Sequence, residues 1–243
     1  MEQTNKKIPF FFILSASVLI VAIIAYFFFL PNEPSQTSLS SCPDENHPHL
    51  IDLGLPSKTL WACSNVGAVK PEDIGDYYAW GETEGKEIYE LKTYKYFDSA
   101  ARDNGKHYAE CFQDIGKDIA GTEYDVAYVK SDGKLQMPSK AQCQELIDKC
   151  TFQWCSLNAV RGAKMVGPNG NFIFLPAAGF KKDEVNLKNP NGQYWMYGLY
   201  WTSTRYENPD SLYHAYRFFF NKNRIEQNSY HRYYGRTIRP VAK

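Results

Sequence analysis

The sequence predicts an α+β domain, with one or two helices beside a mostly antiparallel sheet with long loops, behind one N-terminal transmembrane helix. Three observations predict this arrangement. An uncharged apolar run occupies residues 8–30, one strongly patterned helix follows Ser139, and several short apolar segments lie between turn residues in the rest of the chain. Short strands between turns, with few helical segments, are typical of α+β and antiparallel architectures.

Residues 8–30 form the predicted transmembrane helix. As a helix this run would be about 34 Å long, which exceeds the roughly 30 Å hydrocarbon core of a bilayer. Lys6 and Lys7 precede it, so residues 1–7 are expected in the cytoplasm and the remainder outside. The run is longer than the apolar part of a cleaved signal peptide and lacks a small-residue cleavage site. Cleavage of the anchor, and lipidation at Cys42 in a lipobox-like sequence, stay open alternatives.

The rest of the chain is predicted to be a linker followed by one domain. Residues 31–47 are rich in Pro, Ser, Asn and Glu and have little to bury, which predicts the linker. Residues 48–243 suit one extracytoplasmic domain of ordinary size. The chain balances 27 Lys and Arg against 27 Asp and Glu, which argues against a nucleic-acid partner.

The six cysteines permit disulfides in an exported chain, but their pairing cannot be read from the sequence. Cys42 lies in the linker, which leaves five in the domain. Cys143 and Cys150 are seven positions apart on a predicted helix, about 10.5 Å of rise, so they are too distant to bridge.

The first half of the domain is predicted to contain short strands and a long irregular excursion. Residues 50–53 and 59–63 are predicted strands around a Gly-Leu-Pro-Ser turn, and residues 71–74 are predicted to start a short helix. Residues 77–82 are predicted to form an aromatic strand that ends at a carboxylate. Residues 83–126 are polar with weak periodicity, which predicts irregular structure.

The second half contains the best-defined helix and a series of strands. Ser139 and Gln142 form a capping box, and apolar residues follow at helical spacing, which predicts a helix packed on a sheet. The remaining predictions are a hairpin of residues 163–166 and 172–175, a strand at 200–204, a hairpin of residues 215–220 and 225–228, and a final strand at 237–241.

Eight motifs along the chain together resemble one family. They are IDLGLPS at 51–57 with LWAC at 60–63, NVGA at 65–68, GDYYAWGE at 75–82, MPS at 137–139, ELID at 145–148, FLPAAG at 174–179, YWTST at 200–204 and IRPV at 238–241. This set resembles the Fibrobacter succinogenes major paralogous domain (FISUMP), a family of surface and exported proteins of gut bacteria. The chain departs from the family pattern at 131–136, where Trp and Arg usually precede the Met-Pro.

The resemblance implies a C-type-lectin-like fold, alongside the formylglycine-generating enzymes, and no established reaction. It also implies that the first strand, residues 50–53, pairs with the last, residues 237–241. The formylglycine-generating relatives use a pair of cysteines late in the chain, whereas no cysteine follows Cys155 here. Because neither those thiols nor a G-x-S-x-G motif is present, no enzymatic activity and no catalytic residue are expected. A related oxidase stays a remote alternative.

No metal or cofactor is expected from the sequence. Residues 207–210 resemble a calcium loop, but the Trp-Asn-Asp strand that supplies the other ligands in sugar-binding C-type lectins is missing. His47 and His49 could be half of a metal site, although a linker boundary is the preferred interpretation. His107 and Cys111 have no third ligand in sight. Glu82 is interpreted either as a carboxylate that caps backbone groups or as a ligand contact.

The last 45 residues are predicted to carry the function. Residues 199–243 contain eight Lys and Arg against three Asp and Glu, and six of the chain's eight Arg. Their Tyr, Asn, Ser, His and Arg are the residue types that binding surfaces favour. We therefore expect a face within residues 205–234, the C-terminal face, that binds a glycan or protein ligand; a structural or envelope-assembly role is the alternative. The expected contact residues are Tyr206, Asn208, Tyr213, His214, Tyr216, Arg217, Asn223, Arg224, Tyr230, His231, Arg232 and Tyr233.

Overall fold

The structure, a computed structural model, describes residues 47–183, 185–186 and 196–242. These residues belong to one compact unit. No helix within the described ranges is long and apolar enough to cross a membrane. The predicted transmembrane helix at 8–30, the cytoplasmic segment at 1–7 and all but the last residue of the predicted linker lie outside the described residues.

Four short strands from distant parts of the chain form the first sheet. They are β1 (Leu50–Asp52), β2 (Leu60–Ala62), β3 (Leu135–Gln136) and β12 (Val241–Ala242), in the order β1-β2-β12-β3. The predicted strands at 50–53 and 59–63 are confirmed. The expected pairing of the first strand with the last is wrong, because β2 lies between them and Val241 is opposite Trp61 and Gln136.

The predicted final strand at 237–241 is mostly wrong, since only its last residue lies in the sheet. The residues before Val241 contact partners outside this sheet's ladder. Thr237 makes an isolated parallel bridge with Tyr200, and Arg239 is buried with its guanidinium bonded to backbone carbonyls. These contacts hold residues 237–240 close to the sheet without extending the ladder.

The segment between β2 and β3 contains mainly turns, as predicted for residues 83–126. Its regular pieces are 3-10 turns at Leu91–Thr93 and Tyr108–Cys111, helix α1 (Ser99–Asp103) and helix α2 (Val126–Lys130). The predicted helix at 71–74 is wrong. There, the Asp73 N–H donates to the Lys70 carbonyl (3.1 Å), and the Asp73 carboxylate accepts the Lys70 N–H (2.9 Å), which closes a turn instead.

The predicted aromatic strand at 77–82 is reduced to one bridge, between Tyr78 and Arg236. The backbone bond from Trp80 N to Arg232 O (2.8 Å) continues the contact. The contact between these two segments then ends at Gly81, whose φ of 86° is accessible to glycine at little cost.

Helix α3 (Lys140–Lys149) begins at the predicted capping box. The Ser139 Oγ accepts the Gln142 N–H (3.2 Å), while the Gln142 Oε1 accepts the Ser139 N–H (2.9 Å). Cys143 and Leu146 are buried on its inner face. The predicted structural helix packed on a sheet is therefore confirmed.

The second sheet consists of β4 (Thr151–Leu157), β5 (Val160–Val166) and β6 (Phe172–Pro176), in that order. The predicted hairpin at 163–166 and 172–175 is confirmed. Strand β4 was not predicted, because the turn before β5 lacks the usual Asn-Gly signal. Asn158 and Ala159 both adopt positive φ there, at 47° and 67°, and close a two-residue hairpin.

The third sheet consists of β9 (Tyr197–Arg205), β10 (His214–Asn221) and β11 (Ile225–His231), in the order β11-β10-β9. Each predicted strand in this region is confirmed and is longer than expected. A separate pair, β7 (Lys181–Lys182) and β8 (Val185–Asn186), precedes it. The described residues are thus mostly antiparallel sheet with few helices, and the predicted α+β class is confirmed.

Strand β9 contributes to two hydrophobic cores. Tyr200 belongs to the first, with Trp61 and Phe220. Trp201 belongs to the second, with Trp80 and aromatic residues of the irregular segment. Because successive side chains of a strand point to opposite faces, β9 is the wall that the two cores share.

Candidate functional site

The β10–β11 hairpin divides the expected contact residues between two faces. Phe218 is buried on one face, and the Gln227 side chain directly opposite it donates to the Gln144 Oε1 of α3 at 2.9 Å. On the other face, the Arg217 Nε donates to the Asn228 Oδ1 at 2.6 Å. Helix α3 therefore contacts the first face, and Arg217 belongs to the second.

Five expected contact residues meet where β10 begins and β11 ends. This ring cluster consists of Tyr213, His214, Tyr230, His231 and Tyr233. His214 and His231 lie opposite each other, with ring centroids 4.6 Å apart. Tyr213 lies 4.5 Å from His214, and Tyr233 lies 5.2 Å from His231. All five residues are half-buried, so the rings combine fixed positions with exposed edges or faces.

Two further expected residues extend the ring cluster towards helix α3. The Tyr206 ring centroid lies 6.3 Å from His214 and 5.3 Å from Tyr216. The Lys140 Nζ lies 3.9 Å from the Tyr216 ring centroid, a cation–π contact. Tyr206 and Tyr216 are half-buried; in the hairpin register Tyr216 shares the face of Phe218, whereas Tyr230 shares that of Arg217.

Two guanidinium groups lie beside Tyr230 of the ring cluster. The Arg217 Cζ is 4.4 Å from the Tyr230 ring centroid, and the Arg236 Cζ is 5.2 Å from it. Arg236 is 0% exposed, and none of its three guanidinium nitrogens has a hydrogen-bond partner in the described part of the chain. Burial, with a smaller contribution from the charge of Arg217, lowers the pKa of Arg236 well below its usual value. Such an unsatisfied buried cation is rare, since buried polar groups are nearly always bonded.

The two histidines of the ring cluster are held neutral. Burial, then the neighbouring His231 and Arg217, lowers the pKa of His214 to about 4. Burial, then Arg236 and Lys182, lowers the pKa of His231. At neutral pH these imidazoles therefore act as aromatic and hydrogen-bonding groups, while Arg217 and Arg236 supply the positive charge.

Arg232 was expected to contact ligand, and this is wrong. Its side chain is 0% exposed. The Arg232 Nε donates to the Tyr94 Oη (2.8 Å), and its Nη1 donates to the carbonyls of Gln113 (3.1 Å) and Leu212 (2.9 Å). The guanidinium also lies 4.7 Å from the Trp80 ring centroid. Arg232 thus fastens the end of β11 to the second core.

The other three expected residues are exposed and lie outside the ring cluster. Asn208 caps a 3-10 turn by accepting the Asp210 N–H (3.0 Å). Asn223 and Arg224 lie in the β10–β11 turn, at the opposite end of the hairpin. The Arg224 Nη2 pairs loosely with the Glu226 carboxylate at 3.6 Å.

Two residues of this region were not expected from the sequence. Tyr234 is 6% exposed, and its ring centroid lies 5.2 Å from Tyr230 and 5.8 Å from His231. Arg236 lies between the 205–234 range and the predicted final strand at 237–241. The one signal that could have found it is the concentration of arginine in this part of the chain.

The other candidate residues have structural partners. The Glu82 carboxylate accepts the Lys95 N–H at 2.8 Å and pairs with Lys86 at 2.8 Å, which supports the backbone-capping interpretation. The Cys111 Sγ donates to the His107 carbonyl at 3.4 Å. Cys143 and Cys150 are free, as their spacing predicts, and burial raises the pKa of Cys150 to about 11.

One group in the described ranges could hold a metal ion, although no metal site was expected. It consists of His47, His49 and Cys63, at the start of the domain. The sequence offered the two histidines, but Cys63 joins them only through the pairing of β1 with β2.

Comparison with known proteins adds one partial match. The model of a domain of unknown function, DUF8237, matches residues 163–241, a segment that runs from β5 to β12 and includes the ring cluster. No curated protein and no solved structure matches the chain. The matched segment covers about a third of the chain and carries no statement about activity.

Proposed function

We propose that this chain is a membrane-anchored, extracytoplasmic binding module that recognises an acidic glycan through its C-terminal face. The observation that carries the proposal is the ring cluster beside the unsatisfied guanidinium of Arg236. Aromatic rings with exposed surface supply contact area at low entropic cost. The half-buried Arg217 favours a carboxylate or sulfate, because guanidinium groups bind these anions with matched geometry, and the buried Arg236 adds positive charge behind the rings.

The motifs support placing the chain with the FISUMP-like proteins and their C-type-lectin-like fold. The chain departs from the pairing that the resemblance implies, because β2, rather than β1, pairs with the last strand. Residues 8–30 provide the anchor, the N-terminus faces the cytoplasm, and residues 48–243 act in the periplasm or outside the cell. Neither a catalytic group nor a cofactor takes part.

Binding of the purified full-length chain, in mild detergent, to an array of neutral and acidic glycans tests the proposal. We expect uronic-acid or sulfated glycans to bind, with an affinity that falls as salt screens the charges. The variant Arg217→Gln should bind about tenfold more weakly, which corresponds to about 1.4 kcal/mol. The exposed Arg102→Gln is the matched control and should bind normally. A correctly folded chain that binds no acidic glycan contradicts the proposal.

The anchor is tested separately by cell fractionation. The full-length chain should remain with membranes after a high-salt wash, and a variant without residues 8–30 should not. Protease should cleave the domain when it is added to intact cells, or to cells in which only an outer membrane has been permeabilised. A tag placed before residue 6 should be protected in both cases. Release of the full-length chain by salt alone would contradict the anchor.

A further inference from the structure

We propose that His47, His49 and Cys63 form a zinc-binding site that fastens the N-terminal end of the domain to the first sheet. The β1–β2 ladder creates the group. Leu50 is opposite Ala62, and the register continues one step outward, where the Cys63 N–H donates to the His49 carbonyl at 2.9 Å. Residues directly opposite in an antiparallel pair have their side chains on the same face, so the His49 ring and the Cys63 thiol meet.

The distances fit a tetrahedral metal. The His47 Nδ1 lies 3.1 Å from the Cys63 Sγ, and the His49 Nδ1 lies 3.9 Å from it. All three ligand atoms lie within 4.8 Å of one another. Zinc bonds of about 2.0 Å to nitrogen and about 2.3 Å to sulfur, at tetrahedral angles, separate the nitrogen from the sulfur by about 3.5 Å. The two observed distances lie on either side of that value.

The surroundings favour a thiolate ligand with room for exchange. The His49 N–H donates to the Cys63 Sγ at 3.1 Å, which stabilises negative charge on the sulfur as an outer-shell hydrogen bond does. Cys63 is 2% exposed, while both histidines are half-buried, so the ion would lie between core and solvent. With three protein ligands, the fourth position of a tetrahedral zinc ion would be left to water or another small group.

The donor set narrows the choice of metal. Two imidazoles and one thiolate are borderline-soft ligands, which suit zinc, and copper as well, and disfavour magnesium and calcium. Because His47 precedes β1 and Cys63 follows β2, a bound zinc ion would join the first described residues to the first sheet. Its role would be that of a clamp on the entry segment, separate from the ring cluster.

Titration of the untagged full-length chain with Co²⁺, followed by displacement with Zn²⁺, tests the site. We expect one Co²⁺ per chain, a thiolate-to-cobalt charge-transfer band and the visible bands of tetrahedral cobalt. The double variant His47→Gln/His49→Gln should bind at least about 100-fold more weakly, since the loss of outer-shell partners alone costs about 10–100-fold. The double variant His107→Asn/Cys150→Ser removes one histidine and one cysteine elsewhere and should bind normally.

Two further measurements decide the case. Cys63→Ser should abolish the charge-transfer band while the circular dichroism spectrum stays native. If that variant fails to fold, His47→Gln alone, at a half-buried position, should weaken Co²⁺ binding while the circular dichroism spectrum stays native. Zn²⁺ should raise the thermal midpoint of the unaltered chain but not of the His47→Gln/His49→Gln variant. Absence of saturable binding, or a thiolate band that persists without Cys63, would overturn the proposal.

Discussion

Three buried arginines near the C-terminal end illustrate how differently the same side chain can be used. Arg239 donates to the Asn65 side chain (2.7 Å) and to the carbonyls of Ala62, Cys63 and Phe174 (2.6–3.1 Å). It thereby joins β2 to β6. Arg232 donates to three oxygens, whereas Arg236 contacts aromatic rings and has no hydrogen-bond acceptor within the described residues.

This contrast predicts opposite responses to the same substitution. Arg239→Met should lower the free energy of unfolding by at least about 3 kcal/mol, because several buried acceptors lose their donor. Arg236→Met should cost no more than about 1 kcal/mol, because removal of an unpaired buried charge offsets the lost cation–π contacts. Urea unfolding of both variants measures the difference. Equal losses would show that Arg236 has polar partners after all.

Asp125 is a second buried charge whose role is local. Its carboxylate accepts four backbone N–H groups, from Gly121, Ala127, Tyr128 and Met137, at 2.9–3.1 Å. Asp125→Asn turns one acceptor into a donor that faces other donors. We expect the free energy of unfolding to fall by about 3 kcal/mol. The exposed Asp103→Asn, in helix α1, should have almost no effect in the same urea titration.

At the scale of elements, the open end of the β10–β11 hairpin should be sensitive to acid. The pKa of His214, about 4 in the fold, lies below its ordinary value of 6.5, and that of His231 is also lowered. The fold therefore favours neutral imidazoles. Their contribution to stability is complete above about pH 6.5 and is lost as the pH falls towards 4.

Urea midpoints at pH 7 and pH 4.5 test this dependence. The double variant His214→Phe/His231→Phe keeps two rings but cannot be protonated, so its midpoint should fall less on acidification than that of the unaltered chain. The exposed His107→Phe serves as control and should behave like the unaltered chain. Identical acid sensitivity of all three proteins would mean that protonation of the two histidines does not change the stability of the fold.

Sequence patterns predicted elements well where the signal was local. The capping box at Ser139 and the hairpin turns at 167–171 and 221–224 are short-range features, and the elements beside them were confirmed. The helix at 71–74 and the strand at 77–82 failed because their backbone groups bond to distant partners. Tyr78, for example, pairs with Arg236, a contact that no local pattern contains.

The candidate site was predictable in composition but not in arrangement. Alternation along β10 indicated that one set of side chains would be buried, yet it could not say which rings would meet across the hairpin. Arg232 looked like the other arginines of the tail, and only the structure distinguishes its buried guanidinium, bonded to three oxygens, from that of Arg217. Cys63 likewise joins the two histidines through sheet register alone.

At the scale of the whole molecule, the shared wall of the two cores predicts one cooperative unit. Trp201 is 0% exposed, and its Nε1 donates to the Tyr78 carbonyl at 3.0 Å. Trp201→Ala should lower the free energy of unfolding by about 3–5 kcal/mol. Because the neighbouring Tyr200 faces the first core, the loss should spread to both cores.

Native-state hydrogen exchange measures this spread. The Ala62 amide, bonded to the Pro240 carbonyl, reports on the first sheet, and the Trp80 amide, bonded to the Arg232 carbonyl, reports on the second core. Both should lose protection by a similar factor in Trp201→Ala. Loss at Trp80 alone would show that the two cores open independently.

The position of Val241 between β2 and β3 has a consequence for biosynthesis. Trp61 and Gln136 are made long before Val241; until that residue is in place β2 has β1 as its only neighbour in the sheet, and β3 has none. The Ala62 amide likewise waits for the Pro240 carbonyl, and the Ala62 and Cys63 carbonyls wait for Arg239. A growing chain must therefore hold its first sheet incomplete through most of synthesis, and a stalled or prematurely ended product would present the uncovered edge of β2 to chaperones and proteases.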